Sequence, residues 1–422
     1  MKLLWITNTA LGPLGKRLYG KRQGGLWMDA LLADFKQNKE LSLVVATTAK
    51  VKEPLRIEED GIVYYALPDD LPLFYDENRP KNKAAWRTLL EAERPDLIQV
   101  WGTEFSQGLC ALREAGNTPS VIYMQGYLGS ISRHYFAGMT EKELNYAVSF
   151  RDILRRDTIR RQQRVFAEHT KKEAEMFALS RRIISENEWC NMSVRAVEPR
   201  VNVYHCPLSV NKAFAAVEWK QSGIEPHSIM ATASGYPLKG LHMLLRAVAL
   251  IKKAYPDVKL YVPGTKLITN GGISAKLRRT GYTKYIERLI AELDLSENVV
   301  WLGPLSQEEL AKQYAKTHVF VLSSSIENHS SSLKEAMMVG VPSVASIVGG
   351  VPEYVTHGEN GFLYRFEEYE ILAGYVERLF ADDKLAESFS VAGREKMLAL
   401  HGAEKTSELI LKIYREILEE KA

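Results

Sequence analysis

The stretch VFVLSSSIENHSSSLKEAMMVGVPSVASIVGGVPEYV, residues 319–355, decides the fold of this chain. Its first apolar run predicts a buried strand that ends in small polar residues, and SSLKEAMMVG predicts a helix that Gly340 and Pro342 end. The next apolar run, PSVASIVGG, follows that helix. A strand, a helix and further β-like sequence in this order indicate a parallel α/β sheet.

The same alternation extends upstream in two sets. One set runs from KLLWIT to RRIISE, and the other begins at SIMATAS. Between them, residues 207–228 contain two prolines and show no clean periodicity, which predicts a linker. We therefore predict a first α/β domain at 1–206, a second at 229–400, and a C-terminal helix at 401–422 that packs back on the first domain.

Composition excludes several protein classes. The chain has 422 residues, 46% of them hydrophobic, and its 55 Lys+Arg against 52 Asp+Glu give a net charge of +3, unlike a histone-like or acidic-tail protein. Its three cysteines are far apart, which fits a reducing compartment and argues against a disulfide framework or a zinc finger. The first apolar run is too short for a signal peptide, and no stretch reaches the ~18 apolar residues of a membrane span. We expect a cytoplasmic protein.

Two glutamates mark a candidate site in the opening stretch. Glu327 and Glu335 are eight positions apart, and residues 328–332 between them place backbone N–H groups at the start of a helix. Unpaired N–H groups and the helix dipole favour an anion there, such as a phosphate. Glu327 can accept hydrogen bonds from sugar hydroxyls, and Glu335 can accept two from a ribose diol.

A structural alternative exists for Glu335. Residues 332–335 read Ser-Leu-Lys-Glu, which is the pattern of a capping box. On that motif alone, Glu335 would only cap the helix. The neighbouring motifs shift the balance toward ligand binding.

Taken together, E-x7-E, EAM-x-x-G-x-P-V and GG-x-x-E resemble the signature of family 4 retaining glycosyltransferases. The order of SGYPLKGLHMLLRAVALI, VKLYVPG and ENVVWLGPLSQEELAKQYAKTHVFVLSS is similar to the second domain of that family, and ERPDLIQVWG and VIYMQG resemble parts of its first domain. The resemblance implies the GT-B fold, in which two Rossmann-like α/β domains face each other across a cleft.

The resemblance also implies roles for single residues. Glu335 is expected to bind the nucleotide ribose, Glu327 to position the donor sugar, and Lys239 to bind the diphosphate, with Glu327 and Lys239 as the catalytic pair. A solvated loop lysine is the alternative for Lys239. The remaining expected donor-binding residues are Gly24, Gly25, Gln125, Gly303, Asn328, His329, Ser330, Ser331 and Leu333.

Three departures from the family pattern are visible. Residues 233–235 are Ala-Ser-Gly where members of the family commonly carry an arginine, so phosphate neutralisation is expected to rest on Lys239, the helix N-terminus and another, unassigned base. Gln125 stands where a histidine usually contacts the donor sugar, with His134 nearby as a substitute. Residues 328–330 replace the usual Gly-aromatic-Gly, so the donor preference does not carry over.

The function implied is transfer of a glycosyl group, with retention, from a nucleotide-diphosphate sugar to an acceptor hydroxyl in cell-surface polysaccharide or glycolipid assembly. A UDP-sugar is the favoured donor, and the acceptor is a saccharide or a lipid-linked sugar. The sequence contains no Asp-x-Asp pair, no P-loop and no GxGxxG after a strand, so we expect no metal site and no cofactor. A GT-B UDP-sugar epimerase and a non-catalytic sugar-nucleotide-binding subunit remain alternatives.

Residues 151–182 form a basic segment with ten Lys+Arg against five Asp+Glu. Arg156, Arg160 and Arg164 would share one helical face at this spacing. A solvated helix face is the ordinary interpretation. The more specific interpretation is contact with an anionic membrane surface, which would place the protein on the inner membrane face. Nucleic-acid binding is disfavoured because no aromatic side chains for base stacking accompany the charge.

Overall fold

A computed structural model describes residues 1–20, 26–69, 72–232, 235–264, 267, 278–401 and 405–420. The chain forms two compact units with one sheet each. The first unit comprises Met1–Gly129, Val165–Ser209 and Glu404–Ala422, and the second comprises Ser130–Arg164 and Val210–Ala403.

The sheet of the first unit has eight strands in the described part of the chain, in the order β3-β4-β2-β1-β5-β6-β7-β8. Every neighbouring pair is parallel except β3 and β4. Alternate residues of β1 enter different cores, Leu3 and Trp5 on one face and Leu4 and Ile6 on the other, as the period of a strand requires. The strands are β1 Lys2–Ile6, β2 Ser42–Ala49, β3 Leu55–Glu59, β4 Ile62–Pro68, β5 Leu97–Trp101, β6 Ser120–Tyr123, β7 Arg182–Ser185 and β8 Asn202–His205.

Helices flank this sheet, and the last of them belongs to its core. In helix Thr406–Glu419 the side chains of Ile410, Tyr414 and Ile417 are fully buried, and the Tyr414 hydroxyl accepts a hydrogen bond from Trp5 Nε1 at 3.0 Å. The chain passes between the units within helices Leu128–His134 and Ile159–Ser180. The other helices of this unit are Gly12–Tyr19, Leu26–Gln37, Pro80–Glu93, Gln107–Glu114 and Glu188–Val197, with a 3-10 turn at Pro72–Phe74.

The sheet of the second unit is parallel throughout, in the order β11-β10-β9-β12-β13-β14 for the strands that are described. These strands are β9 Glu225–Met230, β10 Lys259–Pro263, β11 Val299–Gly303, β12 Thr317–Leu322, β13 Ser343–Ser346 and β14 Phe362–Tyr364. The described helices of this unit are Glu141–Tyr146, Phe150–Arg155, Lys212–Ala215, Leu241–Ile251, Gly281–Glu292, Gln307–Lys316, Ser331–Val339, Val351–Tyr354, Tyr369–Ala381 and Asp383–His401, with 3-10 turns at Gln221–Gly223 and Pro237–Lys239.

The division into units differs from the predicted domain boundaries in two places. Residues 130–164 group with the second unit, although the sequence assigned them to the first domain. Residues 210–228 are also part of the second unit rather than a linker, because Phe214 and Trp219 are buried and Trp219 Nε1 donates a hydrogen bond to the carbonyl of Thr317 at 2.8 Å. The stretch lacks helical periodicity because only Phe214 lies in a helix, the four-residue Lys212–Ala215, whereas Trp219 lies in the irregular segment before the 3-10 turn Gln221–Gly223.

The prediction that Arg156, Arg160 and Arg164 share one helical face is wrong. Arg156 has φ +52° and ends helix Phe150–Arg155, so it precedes the helix that carries the other two. Arg160 contacts the carboxylate of Glu141 at 2.7 Å. Among the described helices, none is both long enough and apolar enough to cross a membrane.

Candidate functional site

The candidate site lies where the strand order of the second sheet reverses. The chain runs from β9 through β10 to β11 on one side, and then returns to place β12 on the other side of β9. In open parallel sheets, ligands bind beyond the carboxyl ends of the strands at such a point. The segments that follow β9 and β12 are the 3-10 turn Pro237–Lys239 and the loop 323–330.

An ion pair joins these two segments. Lys239 Nζ lies 2.5 Å from Glu327 Oε1, and Ser324 Oγ donates a hydrogen bond to the same oxygen at 2.5 Å. The Glu327 side chain is 8% exposed, whereas that of Lys239 is 30% exposed. The structure therefore brings together the two residues that the sequence predicted as the catalytic pair, although they lie 88 positions apart.

The charge of Glu327 keeps Lys239 protonated. Burial lowers the pKa of Lys239, but the facing carboxylate outweighs burial, so the pKa is raised above its ordinary value. An ammonium group has three N–H donors, and only the one to Glu327 meets an acceptor among the residues described. The partly exposed Lys239 thus retains two donors for an anionic ligand.

Backbone contacts fix the position of Lys239. Its carbonyl accepts a hydrogen bond from Ser323 Oγ at 2.9 Å, and Ser325 N donates to the carbonyl of Leu238 at 2.8 Å. Gly240 has φ +64°, and a Cβ there would lie 1.7 Å from the carbonyl oxygen of Ser323. Only glycine allows this close approach, so the Lys-Gly dipeptide places the ammonium group.

Helix Ser331–Val339 starts at the end of the same loop, and its N-cap decides between the two interpretations of Glu335. Ser330 is the N-cap, and its side chain accepts the N–H of Leu333 at 3.3 Å. Ser332, which the capping-box alternative requires as N-cap, is already inside the helix, and its hydroxyl contacts Thr232 Oγ1 at 3.2 Å. Glu335 therefore does not cap this helix.

The carboxylate of Glu335 is half-buried and accepts no hydrogen bond from any residue in the described ranges. Burial raises its pKa to about 7, an effect that the charge of Lys334 opposes. Buried polar groups are normally hydrogen-bonded, and a carboxyl group with a raised pKa is more common at functional sites. Glu335 is thus available to a ligand at the start of this helix.

The other predicted donor residues have different environments. Asn328 and Leu333 are buried, His329 is half-buried, and Ser331 is exposed. Gly303 ends β11, two strands from β9, and its carbonyl accepts the N–H of Gly264 at 2.7 Å. Gln125 is half-buried in the first unit, just after β6, and Gly24 and Gly25 lie outside the described residues.

Sequence reasoning missed the serines that hold the pair in place. Ser323 and Ser324 orient Lys239 and Glu327, and Ser346 Oγ donates to the carbonyl of Ser324 at 2.7 Å. The signal was present as three consecutive serines directly after a buried strand.

A second polar cluster lies at the corresponding point of the first sheet, where β1 and β5 are neighbours and the strand order reverses. Asn8 Nδ2 donates to Glu104 Oε2 at 2.9 Å, and Thr103 Oγ1 donates to Glu173 Oε1 at 2.6 Å. Burial raises the pKa of Glu104 to about 7 and that of Glu173 to about 8. No described cation forms an ion pair with either carboxyl group.

Part of the second unit matches known glycosyltransferases in sequence. Residues 222–396 match the family model described as "Glycosyl transferases group 1". The chain is 30% identical over 180 residues to D-inositol 3-phosphate glycosyltransferase of Corynebacterium urealyticum, covering 43% of this chain and 41% of that protein. It is also 30% identical over 165 residues to a GDP-mannose-dependent phosphatidylinositol monomannoside mannosyltransferase of Mycolicibacterium smegmatis, covering 37% and 40%. The chain thus spans about two fifths of the length of these relatives.

The structure is similar to solved structures over its whole length. Sucrose-phosphate synthase of Thermosynechococcus elongatus superposes with a TM-score of 0.72 at 19% identity, covering 100% of both chains. Anabaena HepE in complex with UDP-glucose gives a TM-score of 0.66 at 16% identity, covering 99% of both. The predicted GT-B fold, with two α/β units of mainly parallel strands, is confirmed, and the second unit contains the region that matches the glycosyltransferase group 1 family.

Proposed function

We propose that this protein is a retaining glycosyltransferase that moves a sugar from a nucleotide-diphosphate sugar, with UDP-sugar as the favoured donor, to an acceptor hydroxyl. The observation that carries this proposal is the Lys239–Glu327 pair at the strand-order reversal of the second unit. The pair lies within residues 222–396, the region that matches the glycosyltransferase model.

Lys239 is proposed to bind the diphosphate. Its two remaining N–H donors are available for phosphate oxygens, and its raised pKa keeps it charged over the physiological range. Negative charge develops on the diphosphate when the glycosidic bond breaks. A cation fixed in place before the reaction stabilises that charge without reorganisation.

Glu335 is proposed to bind the nucleotide part of the donor, and Glu327 its sugar part. Glu335 has a carboxylate without a hydrogen-bond donor in the described part of the molecule, so it can accept two hydrogen bonds from the ribose diol. Glu327 retains a second carboxylate oxygen for hydroxyl groups of the donor sugar, because Lys239 and Ser324 both contact Oε1. The residues from Asn328 to Leu333 would surround the transferred sugar and the phosphate.

The relatives support a sugar-nucleotide donor and leave its base open. HepE was solved with UDP-glucose, whereas the mannosyltransferase is GDP-mannose-dependent. We favour a UDP-sugar and propose a role in cell-surface polysaccharide or glycolipid assembly on the cytoplasmic side of the membrane. We also propose that no metal and no further cofactor take part.

Thermal stabilisation by UDP-, GDP- and ADP-sugars tests the proposed donor. A ligand at 100 times its Kd adds about 2.7 kcal/mol to the free energy of unfolding, which is easily measured as a shift in Tm. We expect one UDP-sugar to stabilise the protein and to be hydrolysed slowly in the absence of acceptor. Conversion to an epimeric sugar without acceptor would instead indicate an epimerase, and tight binding without any turnover would indicate a non-catalytic subunit.

A further inference from the structure

Helix Phe150–Arg155 exposes an unusual amount of apolar surface. Phe150, Ile153 and Leu154 are 68%, 63% and 74% exposed, the three highest values for large hydrophobic side chains in the described part of the chain. Their spacing of i, i+3 and i+4 places them on one face of the helix. The most exposed large apolar side chains among the described residues therefore form one patch.

The opposite, polar side of the helix is the one that is buried. Asp152 is 3% exposed, and its Oδ2 accepts the N–H of Gly281 at 2.6 Å and that of Ser149 at 3.2 Å. Arg151 contacts the other carboxylate oxygen at 3.1 Å. This is the reverse of an ordinary amphipathic helix, which buries its apolar face. The hydrogen bond from Gly281, at the start of a helix distant in sequence, holds the polar side of helix Phe150–Arg155 inward and leaves its apolar side exposed.

Exposed basic side chains follow the apolar residues in the chain. Arg155 and Arg156 follow them directly, and Arg164 lies on the next helix. Three acidic side chains of this part of the chain pair with other residues, Asp152 and Asp157 with Arg151 and Glu141 with Arg160. The surface formed by Phe150, Ile153, Leu154, Arg155, Arg156 and Arg164 is named the basic-apolar surface.

We propose that the basic-apolar surface docks on an anionic lipid bilayer. Apolar side chains can enter the interfacial region while neighbouring arginines meet lipid phosphates, which is how amphipathic surfaces bind membranes. A stable protein interface buries ~800 Å² on each partner, more than three side chains on a six-residue helix supply. The inference deepens the proposed function, and rests on it only for the suggestion that the acceptor is presented at a membrane.

Cosedimentation of the full chain with vesicles tests the surface. We expect binding to phosphatidylcholine vesicles that contain phosphatidylglycerol, and weaker binding to pure phosphatidylcholine. Binding should fall in about 1 M salt, where the Debye length is ~3 Å. Ile153→Ser with Leu154→Ser, and separately Arg155→Glu with Arg156→Glu, should each weaken binding at least ~10-fold.

A matched control is available on helix Glu188–Val197, where Met192 is 56% exposed and Arg195 is also exposed. Met192→Ser with Arg195→Glu makes the same two kinds of change on another surface and should leave vesicle binding unchanged. Equal binding by wild type and both test variants, or no wild-type binding at low salt, would overturn the proposal. A concentration-dependent dimer that both test variants abolish would show that a second copy covers the surface instead.

Failure of this proposal is separable from failure of the proposed function. Stabilisation by a UDP-sugar and donor hydrolysis are measured without vesicles, and the test variants should retain both. If no sugar nucleotide binds, the proposed function fails, but vesicle binding still shows whether the basic-apolar surface binds an anionic bilayer.

Discussion

The two sheets of this protein reverse their strand order in the same way but carry opposite chemistry at that point. In the second unit, Lys239 faces Glu327 and remains charged. In the first unit, Glu104 and Glu173 have no cationic partner among the described residues, and burial raises the pKa of both. The strand-order reversal thus carries a partly exposed ammonium group in one unit and two carboxyl groups without a described cationic partner in the other.

The difference shows that the fold sets the location of a polar site, whereas the loop residues set its charge and chemistry. Both sites lie after the first strand of a sheet and the strand that returns beside it, β9 and β12 in one case and β1 and β5 in the other. A phosphate is attracted to the ammonium group of Lys239 and repelled by an ionised Glu104. We therefore expect donor binding to depend on the second site much more than on the first.

The largest expected effect is that of Lys239→Ala on donor hydrolysis. Loss of a preorganised cation at the leaving group should lower the rate on the order of 10²–10³-fold. Lys253→Ala, which removes an exposed lysine from the same unit, should have no effect, and Glu104→Gln at the other site should change donor hydrolysis far less. Wild-type turnover by Lys239→Ala, in a variant that still folds, would show that the donor site lies elsewhere.

A second comparison concerns the glycine at each site. Gly240→Ala places a Cβ 1.7 Å from the backbone carbonyl of Ser323, so the loop itself must move. Gly102→Ala has a similar φ of +83°, but its nearest contact, at 2.1 Å, is the end of the Glu104 side chain, which can rotate away. We expect destabilisation of about 3 kcal/mol for the first variant and about 1–2 kcal/mol for the second.

Calorimetric Tm values measure this difference, since about 1 kcal/mol corresponds to ~2–4 °C in a unit of this size. Gly358→Ala is the control, because Gly358 has φ +79° and no atom lies within 4 Å of the position that an alanine methyl group would take there. The Tm change of Gly358→Ala therefore measures only the destabilisation that comes from placing alanine at a positive φ. Equal losses for all three variants would mean that close approach at Gly240 does not constrain Lys239.

How far the sequence predicts this molecule depends on whether the partners of a residue are local. The alternation of strands and helices and the polar loop after β12 are local patterns, and the sequence identified them. It could not choose the N-cap among Ser330, Ser331 and Ser332, because only the backbone conformation separates three consecutive serines. That choice decided whether Glu335 caps the helix.

The sequence could not show features that depend on a partner far away in the chain or on the backbone conformation of a single residue. Asp152 bonds to Gly281, 129 positions away, and this contact turns the apolar side of its helix outward. Arg156 has φ +52° and ends helix Phe150–Arg155, which separates it from Arg160 and Arg164 on the next helix. Trp219 is buried through its bond to Thr317, so a stretch with the composition of a linker is part of a folded unit.

The pH dependence of donor affinity should distinguish Glu335 from the carboxyl groups of the first unit. Because burial raises the pKa of Glu335 to about 7, lowering the pH from 8 to 6 should protonate it and weaken UDP-sugar binding about 10-fold. Glu335→Gln should bind more weakly at pH 8 and lose this dependence. Glu104→Gln should keep it, although Glu104 also has a pKa of about 7.

Glu335→Gln should also change the stability of the protein, but in the opposite direction to its effect on donor binding. The pKa of Glu335 is higher in the folded protein than its ordinary value of 4.5, so the folded state binds the proton more tightly and loses stability as the pH rises from about 4.5 to 7. Glu335→Gln should therefore raise Tm relative to wild type at pH 8, and not at pH 4. A lower Tm at every pH would indicate a structural role for Glu335.

The smallest expected effect is that of metal removal. The negative charge of a diphosphate has two sources of compensation in the second unit, the ammonium group of Lys239 and the N-terminus of helix Ser331–Val339. The sequence has no Asp-x-Asp pair, and no group of three metal-ligating side chains occurs within the described ranges. We therefore expect EDTA to change the rate of donor hydrolysis by less than about 2-fold. Activity that EDTA abolishes and Mg²⁺ or Mn²⁺ restores would mean that Lys239 and the helix do not neutralise the diphosphate by themselves. A metal ion would then have to be added to the description of the site in the second unit before it is compared with the site in the first.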